Sequence, residues 1–354
     1  MKNKSQLSKT ILLLLFVLPQ FAAATVSKFV GEQTLNIYDY KRDRKLITEI
    51  WYPTNASKRS ASHVDPAEEV FIREMKTIEG APFSDVKKHP LILISHGTGG
   101  NRESLQWLAV ALAQQNYIVA AADHFGSTLD NPDPEAVVKF WEQPLDITCV
   151  LTFLLDSSSF KNLIDTGKIG AAGFSIGGYT VLALAGAQIS LKAIQQFVKT
   201  PEGQKEISIS EMSGLSDMFF EKELVLSFQQ APDLMDSRIK AVMAFAPAVG
   251  QGFTSHDQFA RIKIPVTIIG CASDSIAPVM YNAMHYLQLI QYCEYEEYKG
   301  EAGHYVFLPE ATAFGKQMAA QFCVDAPSVN RHLIHQVTIA RAVGFFNKNL
   351  QWNK

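Results

Sequence analysis

Short apolar segments alternate with segments of helical periodicity along most of the chain. The apolar segments predict strands at 45–53, 91–97, 117–124, 168–175, 241–247 and 265–270, and the more alternating segment 292–298 predicts an edge strand. Apolar residues at helical spacing predict helices over 102–116 and 145–156, and a further helix directly after Ser175. Strands that alternate with helices predict an α/β fold, in which a mostly parallel central sheet is flanked by helices on both faces.

Two segments interrupt this alternation. Residues 54–89 are polar and mixed, which is typical of a surface excursion. Residues 188–238 form an insertion much longer than the usual connections of such folds, and its apolar residues include Leu215, Met218, Phe219 and Phe220. Because long insertions are often active-site lids, we predict a helical cap whose apolar side chains face an acyl chain. A helical decoration packed on the sheet edge is the alternative.

The first residues have the pattern of an export signal. Lys2, Lys4 and Lys9 precede the apolar run 11–18, and three alanines at 22–24 supply a small-residue cleavage site. The run is far shorter than the roughly 20 residues that a membrane span needs. We therefore predict a signal peptide at 1–24, a folded domain at 25–354, and export to the periplasm or the medium without a stable membrane anchor.

Charge and cysteine content narrow the function classes. Loss of three lysines with the signal peptide takes the formal net charge of the 354-residue chain from −3 to −6, and no basic run remains. Nucleic acid and anionic membranes are therefore not expected as partners. Cys149, Cys271, Cys293 and Cys323 contain no C-x-x-C pair, so no zinc or redox motif is expected. They allow three complete disulfide pairings, which stay open, although Cys149 in its apolar helical segment is expected to be a buried free thiol.

Ser175 is the strongest candidate for chemistry. It is the central residue of Gly173-Phe174-Ser175-Ile176-Gly177, a G-x-S-x-G motif that follows an apolar strand and precedes a helical segment. This strand–turn–helix context is the one that a nucleophile elbow requires, with glycines that leave room for the tight turn. We predict that Ser175 is a nucleophile.

A serine nucleophile needs a base, and after such an elbow the acid and then the histidine follow the serine along the chain. His304 lies in a glycine-flanked loop just past the strand 292–298, so we predict that it is the base; His332 and His335, in the last helical segment, are expected to cap or pack. Asp274 follows the strand 265–270, whereas the segment 241–250 contains no carboxylate, so Asp274 is the predicted acid. A helix N-cap is the alternative role for Asp274.

An ester hydrolase also needs donors for the oxyanion. The first predicted donor is the backbone N–H of Ile176, the residue after the nucleophile. The second is expected from the loop Ser95-His96-Gly97-Thr98-Gly99-Gly100, with Thr98 preferred and Gly99 as the alternative. His96 in this loop is expected to hold the loop by hydrogen bonds rather than to act as a base.

Four segments, LILISHGTGG, GFSIGG, CASDSIAPV and GEAGHYVF, together resemble the dienelactone-hydrolase-like branch of the α/β-hydrolase superfamily, in particular exported bacterial proteins similar to platelet-activating-factor acetylhydrolase. The resemblance spans nearly the whole mature chain and implies an α/β-hydrolase domain at 25–354. The segments STLDNP and DSIAPV also resemble bacterial cutinase-like polyester hydrolases, whose acid matches Asp274. The acetylhydrolases instead carry their acid after the preceding strand, where this chain has FAPAVG.

These residues together predict a serine carboxylester hydrolase of the esterase or lipase type, with a Ser175–His304–Asp274 triad and an acyl-enzyme intermediate. No metal and no organic cofactor are expected. The expected partner is a small-molecule or lipid ester. A phospholipase A or acetylhydrolase and a cutinase-like polyester hydrolase are the alternatives, followed by a serine peptidase and a non-catalytic binding protein.

Overall fold

The computed structural model describes residues 29–57, 69–74, 76–207 and 214–351, so the predicted signal peptide at 1–24 lies outside the described residues. Within them the chain forms a nine-stranded sheet in the order β11-β10-β9-β8-β4-β5-β2-β1-β3. These strands are β1 Val30–Asp39, β2 Arg44–Pro53, β3 Thr77–Glu79, β4 His89–Ser95, β5 Ile118–Ala122, β8 Ile164–Phe174, β9 Ile239–Phe245, β10 Val266–Cys271 and β11 Glu294–Tyr298. A separate two-stranded ladder joins β6 Ser127–Thr128 to β7 Asn131–Pro132.

The predicted fold class is confirmed. Six neighbouring strands of the large sheet are parallel to one another, namely β5, β4, β8, β9, β10 and β11. Strand β2 runs antiparallel to both β5 and β1. The helices are α1 Gln106–Ala113, α2 Pro134–Val138, α3 Glu142–Asp156, α4 Ile176–Ala185, α5 Leu191–Phe197, α6 Pro201–Glu206, α7 Leu215–Met218, α8 Lys222–Gln230, α9 Ala283–Leu289, α10 Ala313–Met318, α11 Ala320–Cys323 and α12 Arg331–Phe346, with a final turn at Asn347–Gln351.

Two hydrophobic cores lie on opposite faces of the sheet. In β4, Leu91 and Leu93 face one core, while Ile92 and Ile94 face the other. This alternation follows from the period of two of a strand, and it explains why a strand buried on both faces is apolar throughout. Helices α3, α4 and α9 cover the first face, and α1 and α12 cover the second.

The segment 54–89, expected to be a surface excursion, contributes a strand in its described part. Strand β3 pairs in parallel with β1, and Ile78 within it is buried. Three residues are too few for a periodic pattern to be recognised in the sequence. The predicted helix 102–116 is also shorter than expected, because residues before Gln106 form the turn that follows the glycine-rich loop.

The insertion at 188–238 contains α5 to α8 and is partly built into the protein core. Phe219 is almost completely buried, with its ring centroid 6.3 Å from that of Phe140. It is therefore a core side chain, although we expected it to face an acyl chain. Phe220 is 44% exposed, and Lys199 Nζ lies 4.8 Å above its ring. The insertion thus packs into the core through Phe219 and through apolar side chains such as Leu191 and Leu215, while Phe220 is partly exposed to solvent.

All four cysteines are free in the described part of the chain. Cys271 and Cys323 are buried, while Cys149, expected to be a buried free thiol, is free but only half-buried. Burial raises the pKa of Cys293 to about 12. Among the described residues, no helix is both long and apolar enough to cross a membrane.

Candidate active site

Ser175 lies at a sharp turn between β8 and α4. Its backbone angles, φ 59° and ψ −121°, are ones that a non-glycine residue rarely adopts. The turn depends on glycine at two neighbouring positions. A Cβ atom on Gly173 would lie 2.0 Å from the carbonyl oxygen of Gly177, and one on Gly177 would lie 2.1 Å from that of Ser95. The motif therefore has the geometry of a nucleophile elbow.

The structure brings the three predicted side chains into one hydrogen-bonded chain. Ser175 Oγ lies 2.9 Å from His304 Nε2, and His304 Nδ1 lies 2.7 Å from Asp274 Oδ2. Because a carboxylate only accepts, the ring donates from Nδ1 and accepts the serine hydroxyl at Nε2. The side chains of His304 and Asp274 are 2% and 0% exposed, while Ser175 is half-buried. Of the three, only the serine is open to solvent.

Asp274 is fixed by its own loop as well as by the histidine. Its Oδ1 accepts the backbone N–H groups of Ile276 at 2.9 Å and Ala277 at 2.7 Å. This leaves Oδ2 for the ring of His304. The carboxylate thus does make the local backbone contacts of the alternative capping role, and it contacts His304 at the same time.

The loop after β9 holds the backbone of the serine. Ser175 N–H donates to Phe245 O at 2.9 Å, and Ala248 N–H donates to Ser175 O at 3.0 Å. Ala246 and Val249 in this loop have positive φ values, which are strained for residues with a Cβ. In the acetylhydrolases the loop at this position carries the acid. In this chain the loop after β9 instead supports the elbow through its backbone.

The amide groups of the glycine-rich loop differ in their hydrogen bonds. Gly99 N–H donates to Ser127 O at 2.8 Å, and Gly100 N–H donates to Gly97 O at 2.9 Å. No acceptor among the described residues engages the N–H of Thr98, which is exposed. Ile176 is the first residue of α4, where backbone N–H groups have no acceptor within the helix. Thr98 and Ile176 therefore keep backbone N–H groups without an acceptor among the described residues.

His96 ties this loop to the neighbouring strand end. Its Nδ1 donates to Gly97 O at 2.7 Å, and its Nε2 accepts the N–H of His124 at 3.0 Å. Burial lowers the pKa of His96 to about 3, so the ring is neutral, as these two bonds require. The side chain is buried and structural.

A second serine–histidine–aspartate array, which the sequence did not indicate, lies beneath the same loop. Ser95 Oγ is 2.8 Å from His124 Nε2, and His124 Nδ1 is 3.1 Å from Asp146 Oδ2. All three residues are buried, and Arg44 pairs with Asp146 at 3.0 Å. Since none of them reaches solvent, this array supports the start of the loop. Its members come from β4, from the loop just after β5 and from α3, so no local sequence motif indicates this array.

Two further residues hold the turn that carries His304. Trp107 Nε1 donates to Phe307 O at 2.9 Å, and His335 Nε2 donates to Val306 O at 2.9 Å. The Trp107 and His335 rings are stacked, with centroids 4.1 Å apart. Burial lowers the pKa of His335 to about 4, so it stays neutral. These contacts give His335 the packing role that its helical segment suggested.

Parts of the chain are similar to known ester hydrolases. Residues 82–210 match the family described as PET hydrolase-like. The chain is 35% identical to "Cutinase est1" of Thermobifida alba over 104 residues, which are 29% of this chain and 32% of that protein. It is 31% identical to "Bis(hydroxyethyl) terephthalate hydrolase" of Streptomyces coelicolor over 102 residues, 29% of this chain and 30% of that protein. The similarity thus spans about a third of the length of these relatives.

The fold has a solved counterpart over almost its full length. A ferulic acid esterase from Streptomyces cinnamoneus superposes with a TM-score of 0.61 and 20% sequence identity, covering 93% of this chain and 92% of that structure. At this identity the likeness concerns the fold. Together with the sheet order, this likeness gives the chain an α/β-hydrolase fold, within which residues 82–210 resemble the PET hydrolase-like family.

Proposed function

We propose that this protein is a serine carboxylester hydrolase in which Ser175 is the nucleophile, His304 the base and Asp274 the acid. The observation that carries the proposal is the continuous hydrogen-bonded chain from Ser175 Oγ through both ring nitrogens of His304 to Asp274 Oδ2. The names of the similar proteins, which are cutinases, a bis(hydroxyethyl) terephthalate hydrolase and a ferulic acid esterase, support the same class of reaction.

The geometry supports a two-step course. As Ser175 Oγ bonds to the ester carbonyl carbon, its proton moves to His304 Nε2, and Asp274 stabilises the imidazolium that forms. The tetrahedral intermediate collapses with loss of the alcohol, which takes the proton from Nε2 and leaves an acyl-serine. Water then attacks the acyl carbon with the same base, which releases the carboxylic acid and restores the serine.

We assign the oxyanion hole to the backbone N–H groups of Ile176 and Thr98. In the part of the chain that the structure describes, no acceptor engages either N–H group, whereas the N–H of the alternative donor Gly99 is engaged by Ser127 O. Loss of one such donor typically costs about 10²–10³ in kcat.

The substrate class we favour is an ester with an apolar acyl part. The second candidate is a polyester, which exposed apolar side chains favour. Ile276 and Met280 are exposed in the loop that begins at Asp274, and Leu129 is exposed beside Gly99. Exposed apolar side chains on the loop of Asp274 and beside the glycine-rich loop suit an extended apolar substrate as well as a small ester. Hydrolysis of bis(hydroxyethyl) terephthalate compared with simple acyl esters separates the two candidates.

Two further parts of the proposal concern the chain outside the triad. We propose that residues 1–24 direct export and that 25–354 form the working enzyme, with the insertion at 188–238 as a cap.

The cap is tested at Phe220, whose ring is exposed and could contact a long acyl group. Phe220→Ala should then raise KM for a long acyl ester more than for an acetate ester, because each buried methylene contributes about 0.8 kcal/mol. Equal effects on both esters would contradict a cap at this position.

The proposal is tested by assaying residues 25–354 against p-nitrophenyl esters of graded acyl length, with Ser175→Ala as the matched variant. We expect turnover by the wild type and an initial burst of p-nitrophenol equal to the number of active sites when deacylation is slow. The variant should retain the fold and lose both burst and turnover. Absence of ester hydrolysis by the wild type over the whole panel would refute the proposed function.

A further inference from the structure

The insertion reaches the vicinity of the triad through one carboxylate, that of Glu206 at the end of α6. Its Oε1 accepts hydrogen bonds from Gln251 Nε2 at 2.5 Å and from Asn282 Nδ2 at 2.9 Å. Gln251 belongs to the turn after β9, and Asn282 precedes α9 in the segment that follows Asp274. One oxygen atom therefore joins three parts of the chain that are distant in sequence.

The two loops that Glu206 joins are packed tightly against each other. Asn282 is completely buried, and its Oδ1 accepts the N–H of Gly250 at 2.9 Å. A Cβ atom on Gly250 would lie only 2.4 Å from Tyr281 O. Since there is no space between the loops, the orientation of Asn282 fixes their separation, and Glu206 fixes one of the two Asn282 donors.

These same loops contact the proposed triad. The loop after β9 donates Ala248 N–H to Ser175 O, and the other loop begins with Asp274, which orients His304. We infer that Glu206 is a positioning residue of the active site, through which the insertion holds the loop behind Ser175 and the loop of Asp274 at their working separation. The inference rests on the proposed esterase function and gives the insertion a role in it besides any contact with substrate.

Glu206 also lies within the electrostatic range of the triad. Burial raises the pKa of Glu206, the hydrogen bonds from Asn282 and Gln251 lower it, and the charges of Asp274 and His304 raise and lower it respectively. Tyr286 also interacts with Glu206, and burial raises the pKa of Tyr286 well above its usual range, so it stays neutral. Glu206 therefore lies close enough to Asp274 and His304 for their charges to act on it.

Two substitutions separate the hydrogen bonds from the charge. Glu206→Gln keeps an oxygen that can accept from both amides and removes the charge, whereas Glu206→Ala removes both. Glu202→Ala, an exposed position on the same helix, is the matched control. The assay is the pH dependence of kcat and KM for a short ester, with the concentration of competent sites counted by fluorophosphonate titration and folding checked by thermal melting.

We expect Glu206→Ala to lose about tenfold or more in kcat per competent site with little change in KM, because misplacement of reacting groups lowers turnover. Glu206→Gln should keep most of kcat over the whole pH range, because its amide oxygen can still accept hydrogen bonds from Gln251 and Asn282. Glu202→Ala should leave both kcat and KM unchanged.

A Glu206→Ala protein with normal kcat per competent site and only a lower melting temperature would overturn the inference, as would a Glu206→Gln protein that loses as much kcat as Glu206→Ala. If Glu206→Ala does not fold, Gln251→Ala removes one of the two donors and should lower kcat several-fold; full kcat there would equally overturn it. A wild type that hydrolyses no ester would refute the proposed function itself and the inference with it, a failure distinguishable from those of the variants.

Discussion

Glu49 is a buried carboxylate whose ionisation should destabilise the folded protein. Its side chain in β2 is 5% exposed. Burial and, to a smaller extent, the charge of Glu32 raise its pKa from 4.5 to about 7, against the hydrogen bond from Thr34 and the charge of Arg102. Folding therefore takes place with a proton bound at a pH where the unfolded chain would release it.

The size and sign of the effect follow from this difference. Below pH 4.5 the carboxyl is protonated in both states, so its contribution to stability is fully present. Between pH 4.5 and about 7 only the unfolded state ionises, and the contribution is lost as the pH rises. Because one pH unit corresponds to 1.36 kcal/mol, the loss amounts to about 3 kcal/mol at most.

Glu49→Gln keeps the shape of the side chain and removes its titration. In urea unfolding the variant should match the wild type at pH 5 within about 1 kcal/mol and exceed it by about 1–3 kcal/mol at pH 8. Glu79→Gln, at an exposed position of β3, is the control and should show no such difference between the two pH values. A Glu49→Gln protein that is no more stable than the wild type at pH 8 would refute the reasoning, and would mean that the attraction of Arg102, 3.7 Å away, outweighs burial.

Three further predictions concern the core, the elbow and the acid. Phe219→Ala should lower the free energy of unfolding by about 3–5 kcal/mol and Phe220→Ala by less than about 1 kcal/mol, since only the first ring is buried; equal losses in urea unfolding would contradict this. Gly177→Ala should abolish ester hydrolysis or folding, since its Cβ would lie 2.1 Å from Ser95 O, and a normally active variant would exclude this elbow packing. Asp274→Asn should lower kcat by about 10⁴ without unfolding the protein, because it presents the wrong partner to His304; near-normal kcat would place the acid elsewhere.

The fold could be predicted to the extent that its strands are buried on both faces. Strand β4 and the second half of β8 are nearly continuous apolar runs, so the predicted segment 91–97 lies within two residues of β4 at each end. The predicted segment 168–175 misses the first four residues of β8, where Asp165, Thr166 and Gly167 are not buried. Strand β1 lies near the sheet edge and exposes much of one face, which leaves a sequence with few consecutive apolar residues. The buried position of Phe219 was equally beyond prediction, because its packing partner Phe140 lies far away in sequence.

The candidate site could be predicted where its residues directly follow strands of the sheet. Ser175, Asp274 and His304 each follow a strand of a parallel sheet, so their order and position in the sequence indicate their meeting at one edge. Glu206 has no such signature, since a glutamate at the end of a short helix is ordinarily a solvated side chain. Its partners Gln251 and Asn282 are 45 and 76 residues away, and only the packed loops bring them together.

The central claim is that His304 activates Ser175 as a nucleophile. It is tested most directly by treating the wild type, Ser175→Ala and His304→Ala with a fluorophosphonate and locating the adduct by peptide mass spectrometry. The account predicts one stoichiometric adduct on Ser175 in the wild type, none in Ser175→Ala, and strongly slowed labelling in a folded His304→Ala protein. Labelling that persists in Ser175→Ala, or that is equally fast without His304, would contradict the account.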